Sequence, residues 1–167
     1  LKNYNLHKLY KELLNFCTLE LSSFYFDIRK DVLYCDSLNS KKRINCVKVL
    51  NILLESLLKW FAPILVFTTD EIFSLISKEK KNIHEYTFVE VPKIWKNSEL
   101  NDKWDQLFKI KQEANIAIEE KRAHKEIGSS LEAEIKLTLD KDKFELLDKL
   151  DLEDYFIVSK AEKELSN

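Results

Sequence analysis

A chain of 167 residues, 45% hydrophobic and 34% charged, has the balance of a globular protein and room for one ordinary domain plus a small appendage. Its net charge of −2 gives no sign of a nucleic-acid partner, yet residues 1–80 carry 12 Lys and Arg against 9 Asp and Glu, whereas residues 81–167 carry 15 against 20. A membrane span, which needs roughly 20 apolar residues, is not expected, because the longest candidate, Val49 to Phe67, is interrupted by Asn51, Glu55, Lys59 and Pro63.

Leu1-Lys2-Asn3-Tyr4 has none of the pattern of a cleavable signal. The absence of an initiating Met, or of any Met, reads as a piece of a longer polypeptide. Leu6, Leu9, Tyr10, Leu13, Cys17, Leu21, Phe24, Tyr25 and Ile28 recur at spacings of three and four, which predicts one helix from Asn5, its N-cap, to about Lys30. Residues 31–39 read as a connector: Val32, Leu33, Tyr34 and Cys35, then the turn-prone Asp36-Ser37-Leu38-Asn39. Ser40 is placed to cap a second helix to about Ala62, with the stripe Ile44, Val47, Leu50, Leu54, Leu57, Leu58 and Phe61, and Pro63 ends it.

Thr68 and Glu71 have the spacing of a capping box, so a third helix is expected from about Thr69. Periodicity is lost over 77–98, where Lys78 to Lys81 is nearly all charged and Pro92 breaks the run; a long surface crossing is expected. A fourth helix is expected from Ser98 to about Glu126, with Trp104, Leu107, Phe108, Ala114 and Ile118 on one side and Gly128 as its left-handed end. Glu132 to Leu139 alternates as a half-buried strand does, Asp140 can cap a short helix to Leu150, and Tyr155-Phe156-Ile157-Val158 reads as a second strand. The expected fold class is mostly α: an antiparallel helix bundle over residues 1–80, a crossing over 81–98, and over 99–167 a helix with a small β-α-β appendage.

Catalytic machinery is not evident. One glycine cannot build a phosphate-cradling loop. Cys17, Cys35 and Cys46 are odd in number and lack paired spacing, so neither a disulfide framework nor a zinc site is expected, and a reducing cytosol fits. His7, His84 and His124 are scattered, and Ser129-Ser130 beside Gly128 resembles no nucleophile elbow. Asp70-Glu71 at a helix start, and Glu113, Glu119 and Glu120 near Lys121 and Arg122, read as helix-end charges and exposed ion pairs.

One constellation fits nucleic acid better. Arg29, Lys30, Lys41, Lys42, Arg43 and Lys48 gather round the link between the first two helices, with Tyr25 and Tyr34 in the same stretch. Cations hold phosphates while an aromatic ring stacks an unpaired base, and single-stranded loops are where proteins read RNA sequence. The same pattern also describes a solvated charged corner. Lys121, Arg122 and Lys125 form a second, smaller cluster.

Longer phrases carry more. The run Leu19 to Asp36, centred on Phe24-Tyr25-Phe26-Asp27-Ile28-Arg29-Lys30-Asp31-Val32-Leu33-Tyr34, is followed by Ser40-Lys41-Lys42-Arg43, then Ala62-Pro63-Ile64-Leu65-Val66-Phe67-Thr68-Thr69-Asp70-Glu71-Ile72, then Ile127-Gly128-Ser129-Ser130-Leu131-Glu132-Ala133. This series resembles the C-terminal anticodon-binding region of bacterial-type isoleucyl-tRNA synthetases, of the class I aminoacyl-tRNA synthetases. The resemblance implies a parent that charges isoleucine onto its tRNA with ATP and edits valine errors. The catalytic and editing domains that do this, with their HIGH-like and KMSKS-like signatures, are absent from these residues, as are the cysteine pairs of the zinc module that ends many bacterial members.

The resemblance therefore implies no catalytic residue, no metal ligand and no cofactor here; ATP with magnesium, and zinc, belong to the full-length parent. It implies isoleucine tRNA and the parent's own catalytic and editing domains as partners, in a cytoplasmic monomer. With the charge pattern, the expected RNA contacts are Arg29, Lys30, Lys41, Lys42 and Arg43 at phosphates, Tyr34 near a base, and Lys121, Arg122 and Lys125 further along. Asn45-Cys46-Val47 and Asn82-Ile83-His84-Glu85 depart from the family pattern. The alternatives are the anticodon domain of a valyl-type synthetase and a helical scaffold that binds no RNA.

Overall fold

The computed structural model describes residues 5–78 and 81–166. Leu1 to Tyr4, where no signal is expected, and Glu79-Lys80 of the charged run lie outside the described residues. The chain forms two units, Leu1–Val91 and Pro92–Asn167.

The regular elements of the first unit are all helical among the described residues. Helix α1 (Leu6–Asn15) starts at Asn5, whose Oδ1 accepts the Lys8 N–H at 3.1 Å. The rod continues without a break, but Phe16–Phe26 is wound as a π-helix rather than the α-helix expected. Hydroxyls inside the rod accompany the wider winding. Thr18 Oγ1 donates to the Leu14 carbonyl at 2.8 Å, and Ser23 Oγ to the Thr18 carbonyl, five residues back, at 2.7 Å. Such back-bonding competes with the i→i−4 ladder.

The expected connector is itself partly helical: α2 (Lys30–Tyr34) is anchored by buried Val32 and closed by the Cys35 N–H on the Asp31 carbonyl at 2.8 Å. Ser40 caps α3 (Lys41–Phe61) as expected, accepting the Arg43 N–H at 3.4 Å while donating to Asp36 Oδ2 at 2.6 Å. Beyond Ala62 the chain turns at Pro63, and the Ile64 and Leu65 N–H groups both reach the Phe61 carbonyl at 2.8 Å.

The turn is so tight that α4 (Val66–Ile76) begins ahead of the expected capping box. Leu65 is its N-cap, and Thr69 already lies inside, buried, donating to the Leu65 carbonyl at 2.9 Å. A capping box forms instead at Asn82–Glu85: Asn82 Oδ1 accepts the His84 N–H at 2.9 Å and Glu85 Oε1 accepts the Asn82 N–H at 3.0 Å. Within the stretch read as a surface crossing, the box delivers one residue inward: Ile83, 1% exposed, enters a core with Leu58, Ala62 and Phe73. Burying an Ile side chain this fully contributes about 1.5–3 kcal/mol.

In the second unit, α5 (Ser98–Ala123) is capped by Asn97, whose Oδ1 accepts the Leu100 N–H at 3.0 Å. Leu107, Ile110, Ala114 and Ile118 form its buried stripe, and Lys111 is buried with them, its Nζ donating to the Tyr155 carbonyl at 2.5 Å. The left-handed residue that ends α5 is Lys125, at φ 59°, and not Gly128, which has no positive φ. Gly128 instead donates its N–H to Glu132 Oε2 at 2.8 Å.

Strand β1 (Glu134–Leu139) alternates in burial as expected, and Asp140 caps α6 (Lys141–Leu146) by accepting the Lys143 N–H at 2.9 Å. The second expected strand is corrected. Tyr155 and Phe156 belong to α7 (Leu152–Phe156), whose left-handed end is Ile157 at φ 60°, and β2 is Lys160–Leu165. A short apolar run has no period of its own, and here it is a buried helical turn rather than a strand. The two strands pair in parallel, Glu134 opposite Lys160 through Leu139 opposite Leu165, so the β-α-β order stands. The fold is mostly α, a helical bundle followed by a small α/β appendage, and among the described residues no helix is long and apolar enough to cross a membrane.

Candidate nucleic-acid interface

The rod and α3 bring two of the predicted cations, Arg29 and Lys42, to one cleft. Tyr25 and Arg29 lie one turn apart on the end of the rod; Lys42, Asn45, Cys46 and Val49 form an i, i+3, i+4, i+7 stripe on α3. Between these six residues is an open cleft of about 380 Å³. Tyr25 Oη lies 3.8 Å from Cys46 Sγ across it. Burial, then the bond to Cys46, pushes the Tyr25 phenol up to about 12, against a smaller opposing pull from Arg29. The ring therefore stays neutral near pH 7, and no phenolate cancels the charge of Arg29 and Lys42.

The backbone breaks at Arg29 (φ −109°, ψ 1°) between the π-helical stretch and α2, which leaves its side chain half-buried at the cleft wall. Lys30 is exposed and ion-paired with Asp27, which raises its pKa chiefly through their hydrogen bond. Tyr34 ends α2 with 85% of its surface open. Lys41 and Lys42 are exposed and form no ion pair among the described residues; Arg43 is half-buried, with its Nε enclosed and unpartnered. The first turn of α3 holds these three cations and no acid. That arrangement opposes the helix dipole, which favours anions at an N-terminus by about 0.3–1 kcal/mol per charge. It does nothing for the helix, and three cations against the single Asp36 carboxylate on the Ser40 cap leave a positive field suited to an anionic ligand.

The second predicted cluster is built differently. Lys121 Nζ is 2.7 Å from Glu126 Oε2 and Arg122 Nη1 is 2.6 Å from Glu119 Oε1, while Lys125 is exposed at the left-handed turn. Asn45 was not among the predicted site residues, and Tyr25 was read only as part of the surrounding aromatic stretch; the helical spacing of Lys42 with Asn45, and of Tyr25 with Arg29, is the signal that could have placed them. No group of three or more His, Cys, Asp or Glu among the described residues is arranged to hold a metal.

Residues 1–137 match the family described as the anticodon-binding domain of tRNA ligase. The chain is 57% identical over 166 residues to the isoleucine–tRNA ligase of Pelagibacter ubique (strain HTCC1062), covering 99% of the chain and 18% of that protein. It is 42% identical over 130 residues to the isoleucine–tRNA ligase of Agrobacterium fabrum, covering 78% of the chain and 13% of the relative. With that of Shewanella halifaxensis it shares 39% over 168 residues, covering 97% and 18%. The chain thus spans less than a fifth of the length of these relatives.

Proposed function

We propose, from the premise that the chain belongs to the anticodon-binding domain family of tRNA ligases, that its first unit grips the anticodon arm of an isoleucine tRNA. The observation that carries this reading is the acid-free first turn of α3, where Lys41 and Lys42 stand open beside the Arg29 cleft. Lys41, Lys42, Arg29 and Arg43 meet phosphates, with Lys30 able to exchange its Asp27 partner for one. Tyr34 offers its exposed ring to an unpaired base, a contact worth about 1–3 kcal/mol. Lys121, Arg122 and Lys125 meet the RNA further along only where phosphate displaces Glu126 and Glu119.

The parent is an isoleucine–tRNA ligase, cytoplasmic and monomeric. Its ATP, magnesium and zinc are held by parts other than these residues, and its catalytic and editing domains are the chain's other partners. The isoleucine rather than the valine enzyme is supported by the names of the relatives, all isoleucine–tRNA ligases. A scaffold that binds no RNA leaves the uncompensated cations on α3 without a purpose.

The test is binding of isoleucine tRNA across a salt series. With four or five phosphates neutralised, log affinity falls with log salt at a slope of about −3, taking roughly −0.7 per contact. A slope near zero, or footprints spread evenly over the tRNA instead of over the anticodon stem-loop, rejects the reading.

A further inference from the structure

The second unit contains an unfinished sheet. Ser166 donates its N–H to the Leu139 carbonyl at 2.7 Å and Ser159 to the Ala133 carbonyl at 3.1 Å. With the register of the two strands, these bonds put the backbone groups of Ala133, Ile135, Leu137 and Leu139 on the β2 side. The N–H and C=O groups of Glu134, Lys136 and Thr138 therefore face the other edge, where no strand pairs with them among the described residues.

That edge is not open to plain solvent. It lines a groove of about 590 Å³ whose far wall is α5. The helices of this unit do not fill the groove: α6 and α7 pack on β2, and α5 packs on α6 and α7. Ile110, Ala114, Ala117 and Ile118 give it an apolar wall. Its charged residues are Glu113, Glu120, Glu132 and Glu134 against Lys121 and Lys136. Both lysines are held by carboxylates outside the groove, Lys121 by Glu126 and Lys136 by Glu164, each at 2.7 Å. The four glutamates form no ion pair with any described residue, so the groove is acidic. It repels RNA and complements a basic polypeptide.

We propose that the groove receives an extended segment of alternating apolar and basic side chains, added as a strand to the free edge of β1 and supplied by another part of the ligase polypeptide. The apolar side chains lie against α5, the basic ones meet the glutamate rim, and the backbone pairs with Glu134, Lys136 and Thr138. Only the source of the segment rests on the ligase reading: the relatives run to more than five times the length of this chain. The edge and its charge stand without that reading.

The test needs no tRNA, so its failure and the failure of the tRNA reading are separate events. A labelled eight-residue peptide alternating Val and Lys is titrated into the chain, beside one alternating Val and Glu. The Lys peptide is expected to bind at least about tenfold more tightly, to weaken with added salt and to slow exchange of the Lys136 and Thr138 amides. Glu113→Lys with Glu134→Lys, both at exposed positions, reverses the preference while leaving the helical signal unchanged. Binding of neither peptide, or of both alike, overturns the proposal. In a full-length ligase carrying this chain the strand is already in place, so the Lys peptide is excluded and these amides exchange at least about 100-fold more slowly than in the isolated chain. Equal exchange in the two proteins overturns the assignment of the source.

Discussion

The two basic clusters look alike as strings and differ as surfaces. Around α3 the cations outnumber local acids, and Lys41 and Lys42 stand open on a helix start that gains nothing from them. At the end of α5, Lys121 and Arg122 sit where the helix dipole wants cations, and each already has a glutamate. The second arrangement is what local stability alone would build; the first is not. A charge cluster therefore points to a ligand when it works against its own element, and says little when it agrees with it.

The largest expected effects fall on the cores of the two units that carry these clusters. Phe156→Ala, at a site 1% exposed in the second unit, is expected to cost about 3–5 kcal/mol in denaturant unfolding, and Ile83→Ala in the first about 2–5 kcal/mol. Next comes the contrast itself. Lys41→Ala with Lys42→Ala should flatten the salt slope of tRNA binding by about 1.4, at roughly 0.7 per lost phosphate contact. Lys121→Ala with Arg122→Ala should flatten it by less than half as much; equal effects would erase the distinction.

Smaller again is Glu85→Ala. Removing one arm of the Asn82 box should cost about 1 kcal/mol and raise exchange of the Asn82 amide. Smallest is a pH effect. Burial raises the Tyr25 phenol to about 12 and raises that of Tyr155 as well. An unfolded tyrosine ionises near its ordinary value of 10.0, so stability is full below that pH and is lost as pH rises towards 12. Ultraviolet titration should show Tyr25 and Tyr155 ionising late, with Tyr25→Phe removing the first of these contributions.

Where a side chain states its own local rule, the sequence was legible: Asn5, Ser40 and Asp140 cap the helices assigned to them, Pro63 stops α3, and Ile135 and Leu137 alternate with their polar neighbours. It was silent where the outcome depends on a distant partner. Thr68 lost its cap because Pro63 turned the chain early, and Tyr155 and Phe156 went helical because α5 and β2 offered a core to fill. Gly128 drew attention as the only glycine, yet Lys125 took the left-handed position, its side chain free in solvent. Half of the cleft, Tyr25, Arg29 and Lys42, was readable in the basic-aromatic stretch. Asn45, Cys46 and Val49 joined it only once the rod and α3 were side by side.

The wide-wound stretch has a consequence for aim. Eleven residues at 3.6 per turn would complete about three revolutions; wound with i→i+5 bonds they complete fewer. The azimuth at which Arg29 leaves the rod is thus set upstream, over Phe16–Phe26. Returning that stretch to ordinary pitch would turn the guanidinium about the rod axis relative to Lys42 while changing neither residue, so the pitch of one segment acts as the gunsight for a charge that lies beyond it.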